Sequence, residues 1–391
     1  GFGDIMTSIG LVIVFGTIIG TIIEKSGAAL KMADTILGLV GEKRSALAMS
    51  IIGYITSIPV FCDSGFVILT PLNKALAKRS GIPLATMAVA LSTGLYATHT
   101  LVPPTPGPIA AAGNIGADLG LVILIGLIVS IPAALVGLWW ANRVGGSIEI
   151  EGESENLSYE DLKKQYKNLP NAWLSFAPIV VPILLIALSS IASFTGYEGL
   201  GSQLIVFLGT PINALMIGVL LSFLLMPNFS EETITGWIGK GMADSVNILL
   251  ITGAGGTLGA VLTKTPMSEY IKSFASSRFT GAMAILLLFI ISALLKTAQG
   301  SSTVALVTTS SMMAPMLTQL GLTTPIQLTL AVMAIGAGAM TVSHVNDSYF
   351  WVVSQFSGMK VTDAYKAQTM GTLLEGVTAI AFTLILYFII G

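Results

Sequence analysis

Charge is what this chain has least of. Asp, Glu, Lys and Arg together make up 10% of its residues, against about 25% in a soluble domain, so a soluble globular protein is excluded. The net charge of −2, without a basic stripe, gives no footing for nucleic acid. Cysteine occurs once, at Cys62, so no intramolecular disulfide can form. Histidine occurs twice, at His99 and His344. No Cys/His metal spacing, HExxH or Walker sequence is present, so neither a metal site, a cofactor nor direct ATP hydrolysis is expected. Gly253-Ala254-Gly255-Gly256-Thr257 lies inside an apolar run and reads as helix packing rather than a phosphate loop. The chain opens on GFGDIM, which reads as the lead-in to a helix and not as a signal peptide; a preceding piece is expected.

Apolar sequence, by contrast, is abundant. Hydrophobic residues make up 53% of the 391 residues, and glycine, which permits close helix approach, occurs 42 times. Several apolar runs reach the length of about 17 residues or more that a transmembrane helix needs. The expected fold is an all-α polytopic membrane protein. Spans are expected at 5–23, 82–98, 119–141, 172–193, 203–226, 242–262 and 366–390, with 24–44 as a charged surface or interfacial connection, 263–279 as a polar one and 142–170 as a solvated loop.

Polar interruptions organise the rest. Ser343-His344-Val345-Asn346-Asp347-Ser348 falls between an apolar segment and Tyr349-Phe350-Trp351-Val352-Val353. Polar side chains at that depth are costly unless satisfied, so the run predicts a helix that breaks mid-membrane and turns toward a ligand. Residues 98–108 make a second such break, because four prolines in six residues cannot continue a helix; a short helix is expected to resume near 109–114. Two pairs of short helices, 45–60 with 66–79 and 281–297 with 303–319, meet at polar tips (Cys62-Asp63-Ser64-Gly65 and Gln299-Gly300-Ser301-Ser302) and read as re-entrant hairpins.

The interruptions recur in one order: helix, connection, hairpin, broken helix, helix. Ala97-Thr98-His99 aligns with Val342-Ser343-His344, and the first tip with the second. The predicted plan is a first repeat over 1–141 (hairpin about 45–79, broken helix about 82–116), a cytoplasmic loop at 142–171, connecting helices at 172–229, and a second repeat over 230–391 (hairpin about 281–319, broken helix about 323–357). With re-entrant hairpins, Lys25, Lys31, Lys43, Arg44, Lys74, Lys78, Arg79, Arg143, Lys163, Lys164, Lys167, Lys240, Lys360 and Lys366 share one side, against Lys264, Lys272 and Arg278 opposite. The richer side is cytoplasmic by the positive-inside rule, which makes the repeats inverted. Paired interrupted segments of this kind mark a transporter's binding site.

Four elements should therefore converge on substrate: two tips and two breaks. Asp63, Ser64, Gly65, His99, Thr100, Thr105, Gln299, Gly300, Ser301, Ser302, Thr303, His344, Asn346, Asp347 and Ser348 are the candidate substrate-binding residues. Helix N-termini there would favour an anion, the hydroxyls suit a hydroxy acid, and the two tip glycines would let backbone approach it. Asp63, Asp347, His99 and His344 are the proton-coupling candidates, read as the Asp and His residues at membrane depth. Lys296 either meets a substrate carboxylate or snorkels.

The run Thr98-His99-Thr100-Leu101-Val102-Pro103-Pro104-Thr105-Pro106-Gly107-Pro108 resembles the gluconate permease family of proton symporters, within the ion transporter superfamily. The first tip (Pro59 to Leu69) and Ser343 to Trp351 are similar to it as well, and the likeness covers essentially the whole chain. That resemblance implies proton-coupled uptake of gluconate or a related small hydroxy acid, elevator-type alternating access, a homodimer and a place in the bacterial inner membrane. Coupling to sodium through break carbonyls and Asn346, an intramembrane hydrolase and a passive channel are the alternatives. D-serine, 3-hydroxybutyrate, glycerate and hexuronates remain open as substrates.

Overall fold

In a computed structural model, residues 1–41, 44–148, 150, 169–195, 199–263 and 280–391 are described. Most of the expected loop at 142–170 and the connection at 264–279 lie outside them. Among the described residues every regular element is helical. In chain order the main helices are α1 Leu11–Lys25, α2 Ala28–Val40, α3 Ser45–Thr56, α4 Cys62–Ser80, α5 Leu84–His99, α6 Pro106–Ile115, α7 Leu119–Val144, α8 Ala172–Thr195, α9 Leu200–Leu208, α10 Pro211–Phe223, α11 Glu231–Thr263, α12 Ala282–Gln299, α13 Ser302–Met313, α14 Pro325–Met340, α15 Ser348–Ser357 and α16 Met370–Ile390. Four helical stretches among the described residues are long and apolar enough to cross a membrane, and two bent pairs (α1 with α2, α9 with α10) pass the same test together.

The architecture repeats. The first hairpin helix α3 packs on α5, and α12 packs on α14 in the same way; α5 rests on α7, and α14 on α16. The halves then cross over: α13 packs on α6, and α4 on α15. Each hairpin's second helix thus meets the resumed half of the other repeat's broken helix.

Close contact in both hairpins depends on a missing side chain. A methyl group at Gly94 of α5 would strike the carbonyl oxygen of Ser50 in α3. One at Gly338 of α14 would strike the carbonyl oxygen of Phe289 and the Ser292 side chain in α12. Van der Waals contact between backbones replaces side-chain interlock, as it does where membrane helices associate without a hydrophobic drive.

Several boundaries differ from the expectations. Within the expected surface or interfacial connection, residues 28–40 form a helix with a buried stripe of Ala28, Ala29, Leu30, Met32, Ala33 and Ile36, and α2 leaves α1 at 71°. The expected span at 203–226 is bent by 67° between α9 and α10. Pro211 opens α10, and the residue before a proline is pushed to extended backbone; Thr210 has ψ 137°. The helix expected at 242–262 starts earlier, at Glu231. The one expected at 303–319 ends at Met313, with a 3-10 turn through Pro315. Of the prolines that end α5, Pro106 and Pro108 start α6, where a missing N–H costs no helical bond.

Substituting Gly94 or Gly338 by Ala or Val is expected to lower the thermal stability of the detergent-solubilised protein, by about 1–3 kcal/mol each for the overpacked contact. Gly38→Ala, with nothing within 4 Å of the new methyl group, is the control that leaves the melting temperature unchanged or slightly raised.

Candidate functional site

The second tip and the second break are built as one unit. α12 ends at Gln299, and Gly300 follows with φ +91°, a left-handed turn that favours glycine. One turn back, Lys296 is fully buried. Its Nζ donates to the Gly300 carbonyl and to Asp347 Oδ2 at 2.6 Å, and lies 5.9 Å from the Tyr96 ring centroid. Asp347 is 5% exposed and caps α15, its Oδ1 accepting from the Tyr349 amide at 3.1 Å. The Ser343 hydroxyl donates to Oδ2 at 2.5 Å. From the break, Asn346 Nδ2 donates to the Thr297 carbonyl at 2.8 Å and His344 Nε2 lies 3.0 Å from the same oxygen. A carbonyl can only accept, so Nε2 carries the hydrogen.

Lys296 therefore neither snorkels nor points a free charge at substrate. It is spent inside the fold, and Asp347 with it. The N-terminus of α15 is already occupied by a carboxylate of the chain itself, so it is not open to an anion as the sequence suggested.

The first tip supplies the opposite partner. Asp63, Ser64 and Gly65 form the first turn of α4. Ser348, from the second break, donates to Asp63 Oδ2 at 3.3 Å, and Asp63 Oδ1 is buried with no hydrogen-bond partner. Gly65 serves packing and not ligand approach: its missing methyl group would sit 2.7 Å from Leu95 Cδ2. Gly300 likewise faces the Asn346 carbonyl, within a methyl group's reach.

The first break is closed. His99, at the end of α5, is 5% exposed, with its ring 6.2 Å from that of Tyr96 and 6.0 Å from that of Phe61, and its Nδ1 lacks a partner. The Thr100 hydroxyl bonds back to the Tyr96 carbonyl at 3.4 Å and that of Thr105 to the Val102 carbonyl at 2.7 Å, so both are used locally. At the start of α6, Pro106 and Pro108 have no N–H, which leaves Gly107 as the amide donor among the first three residues. Thr303 and Leu306 of α13 pack against Gly107, and Asn114 Nδ2 ties α6 to α13 through the Ser310 and Ser311 hydroxyls at 2.9 and 2.8 Å.

Of the predicted residues, the structure links Asp63, Ser348, Asp347, Asn346 and His344 through these contacts. Gln299 folds onto Ser301 at 2.6 and 2.9 Å, and the Ser301 hydroxyl caps α13. Asn346, Ser348 and Gln299 are uncovered by protein, Asp63, Ser64, His344, Ser301 and Thr303 partly so, and Ser302 is buried. His99, Thr100 and Thr105 are sealed away. The sequence reading missed Tyr96 and Tyr349, whose rings stack at 5.1 Å between the two breaks, because aromatic residues on apolar helices carry no local signal. It also passed over Glu375, although an acidic residue inside Leu-Leu-Glu-Gly-Val-Thr-Ala-Ile is such a signal. Among the described residues no group of three His, Cys, Asp or Glu could hold a metal ion.

Residues 1–389 match the family model described as GntP family permease. The chain belongs to the GntP permease family. It is 31% identical to a gluconate permease of Pseudomonas aeruginosa, over 99% of this chain and 86% of that one. It is 32% identical to the D-serine transporter DsdX of Escherichia coli (strain K12), over 100% of this chain and 87% of that one. In fold it is similar to MtrF of Neisseria gonorrhoeae, which belongs to a class of antimetabolite efflux pumps (TM-score 0.71, 17% identity, 100% and 83% of the two chains). It is also similar to the YdaH transporter of Alcanivorax borkumensis (TM-score 0.69, 14% identity, 98% and 86%). The chain is thus a multi-pass permease of the bacterial inner membrane and not an enzyme, and the hydrolase alternative falls.

Removing one partner of a buried ion pair leaves an uncompensated charge. Lys296→Met is expected to cost about 3–5 kcal/mol of stability, read by thermal or denaturant unfolding in detergent. Lys296→Met combined with Asp347→Asn should recover part of that loss. A double variant no more stable than Lys296→Met would mean that the ion pair does not hold the break in place.

Proposed function

We propose that this GntP permease carries a small hydroxy-acid anion, gluconate or a related sugar acid, into the cell together with a proton. One observation carries the reading. Lys296 and Asp347 neutralise each other inside the fold, so Asp63 is the carboxylate left at the edge of the polar surface, with one oxygen on Ser348 and the other unpartnered. An anionic substrate and an ionised Asp63 repel each other; at about 4 Å two like charges cost about 4 kcal/mol near a protein surface. A proton on Asp63 removes that repulsion and turns an acceptor into a donor for the substrate. Anion and proton then bind together, and the loaded site is one charge cheaper to move through the bilayer. Ser64, Ser301, Thr303, Asn346 and Ser348 supply the hydroxyls and amide that a polyol acid needs.

The gluconate permease among the relatives supports the sugar-acid reading. The D-serine transporter supports a second one, because the ammonium of a zwitterion would pair with Asp63 in its ionised form, and proton binding would then compete with substrate. Sodium held by break carbonyls and Asn346 is the remaining rival for coupling. We extend the proposal to inverted repeats, a cytoplasmic loop at 142–170, and an elevator-type movement of the hairpins and broken helices against a homodimeric scaffold. Exposed apolar side chains on α8 to α10, including Trp173, Leu200, Leu204 and Phe207, suit a face that rests on lipid or on a second copy.

In proteoliposomes with an inside-alkaline pH gradient, labelled gluconate should accumulate, and a protonophore should abolish the accumulation. Asp63→Asn should retain exchange of external for internal substrate but lose most of the pH-driven accumulation. Accumulation by Asp63→Asn with normal pH dependence would remove Asp63 from the coupling. Uptake that follows sodium at fixed pH would replace the proton.

A further inference from the structure

Glu375 lies in the second turn of α16, midway along the continuous helical stretch Val361–Ile390, fully buried, and neither carboxyl oxygen has a hydrogen-bond partner. An ionised carboxylate without a partner is among the costliest groups to bury, and an ionisable residue inside a membrane segment points by default to a functional use. Its surroundings are the parts that the second break touches. One turn before it, the Thr372 hydroxyl accepts from the Ser343 amide at 3.0 Å, and the Thr369 hydroxyl donates to the Ser343 carbonyl at 2.6 Å. Next to it, a methyl group at Gly376 would strike Thr341 Cγ2 at the end of α14. The broken helix is therefore laid directly on the face of α16 that holds Glu375.

Among the described residues no charged group answers it. Tyr349 of α15 is the titratable neighbour near enough to feel its charge, but the Tyr349 hydroxyl is committed to the Ser92 carbonyl at 2.9 Å. Behind it, Tyr96 of α5 is stacked on Tyr349, and His99 lies beyond Tyr96. Lys296 of α12 is held by Asp347, α14 has no titratable residue, Arg143 of α7 is exposed at the helix end, and Lys366 is exposed beside Asp363.

We propose that Glu375 is a second proton-exchange site of the transport cycle, closed while it holds its proton and opened to water when the second broken helix moves against α16. The proposal rests on the proton-coupled reading above and adds to it: Asp63 takes the proton that accompanies the anion, and Glu375 takes another, away from the substrate. The carrier then moves two protons with each substrate.

The test is the slope of the logarithm of substrate accumulation against the imposed pH difference, with the membrane potential clamped at zero. Wild-type protein should give a slope of two and Glu375→Gln a slope of one, with substrate exchange retained. A wild-type slope of one, or an unchanged slope in Glu375→Gln, overturns the Glu375 assignment and leaves proton symport intact. A wild-type slope of zero overturns proton coupling itself. A second measurement needs no variant: a hydrophobic carbodiimide, which modifies carboxyl groups that carry their proton, should label Glu375 in wild-type protein, less so as pH rises. Peptide mapping that finds no adduct at Glu375 at any pH also overturns it.

Discussion

A helix that stops inside a bilayer leaves amides and carbonyls with no water to receive them, and the centre of this protein is arranged around that constraint. Each interruption is completed by another. The Thr297 carbonyl near the second tip receives Asn346 and His344 from the second break. The Gly300 carbonyl takes Lys296, which also holds Asp347. The amide of Ser343 is taken up by Thr372 of α16 and its carbonyl by Thr369, the residue just before that helix. The buried ion pair joins the hairpin to the break across 2.6 Å, and losing either partner would leave an uncompensated buried charge. On the proposed elevator-type movement, it would carry the hairpin and the broken helix together.

The same economy explains why the helix ends are poorer anion sites than their number suggests. Asp347 fills the start of α15, prolines strip donors from the start of α6, and Ser301 caps α13. On the proposed function, recognition in this centre falls to side chains more than to helix dipoles.

Much of this plan was legible in the sequence, and the reason is physical. Polar residues and prolines inside apolar runs are expensive, so Asp63, His99, His344 and Asp347 stood out against their background, and their matching order revealed the repeat. What stayed hidden depended on three-dimensional pairing. Nothing local shows that Lys296 meets a residue far along the chain rather than substrate, or that Gly65 and Gly300 make room for Leu95 and Asn346. The charges of Lys31 and Asp34 marked a connection without showing that it is an amphipathic helix with a buried small-residue face. Glu375 is a different case: a lone acid inside an apolar span is itself a signal, but it breaks no helix and so did not stand out as an interruption.

The two histidines occupy matching places in the two halves, yet His99 is sealed between aromatic rings while His344 reaches a partly open surface. Two copies of one design are thus held in two different settings within a single molecule. If the halves traded settings, the first break would open and the second would close, with no new packing mode required of either. On the proposed function, the molecule carries the blueprint of its opposite-facing state in its own other half.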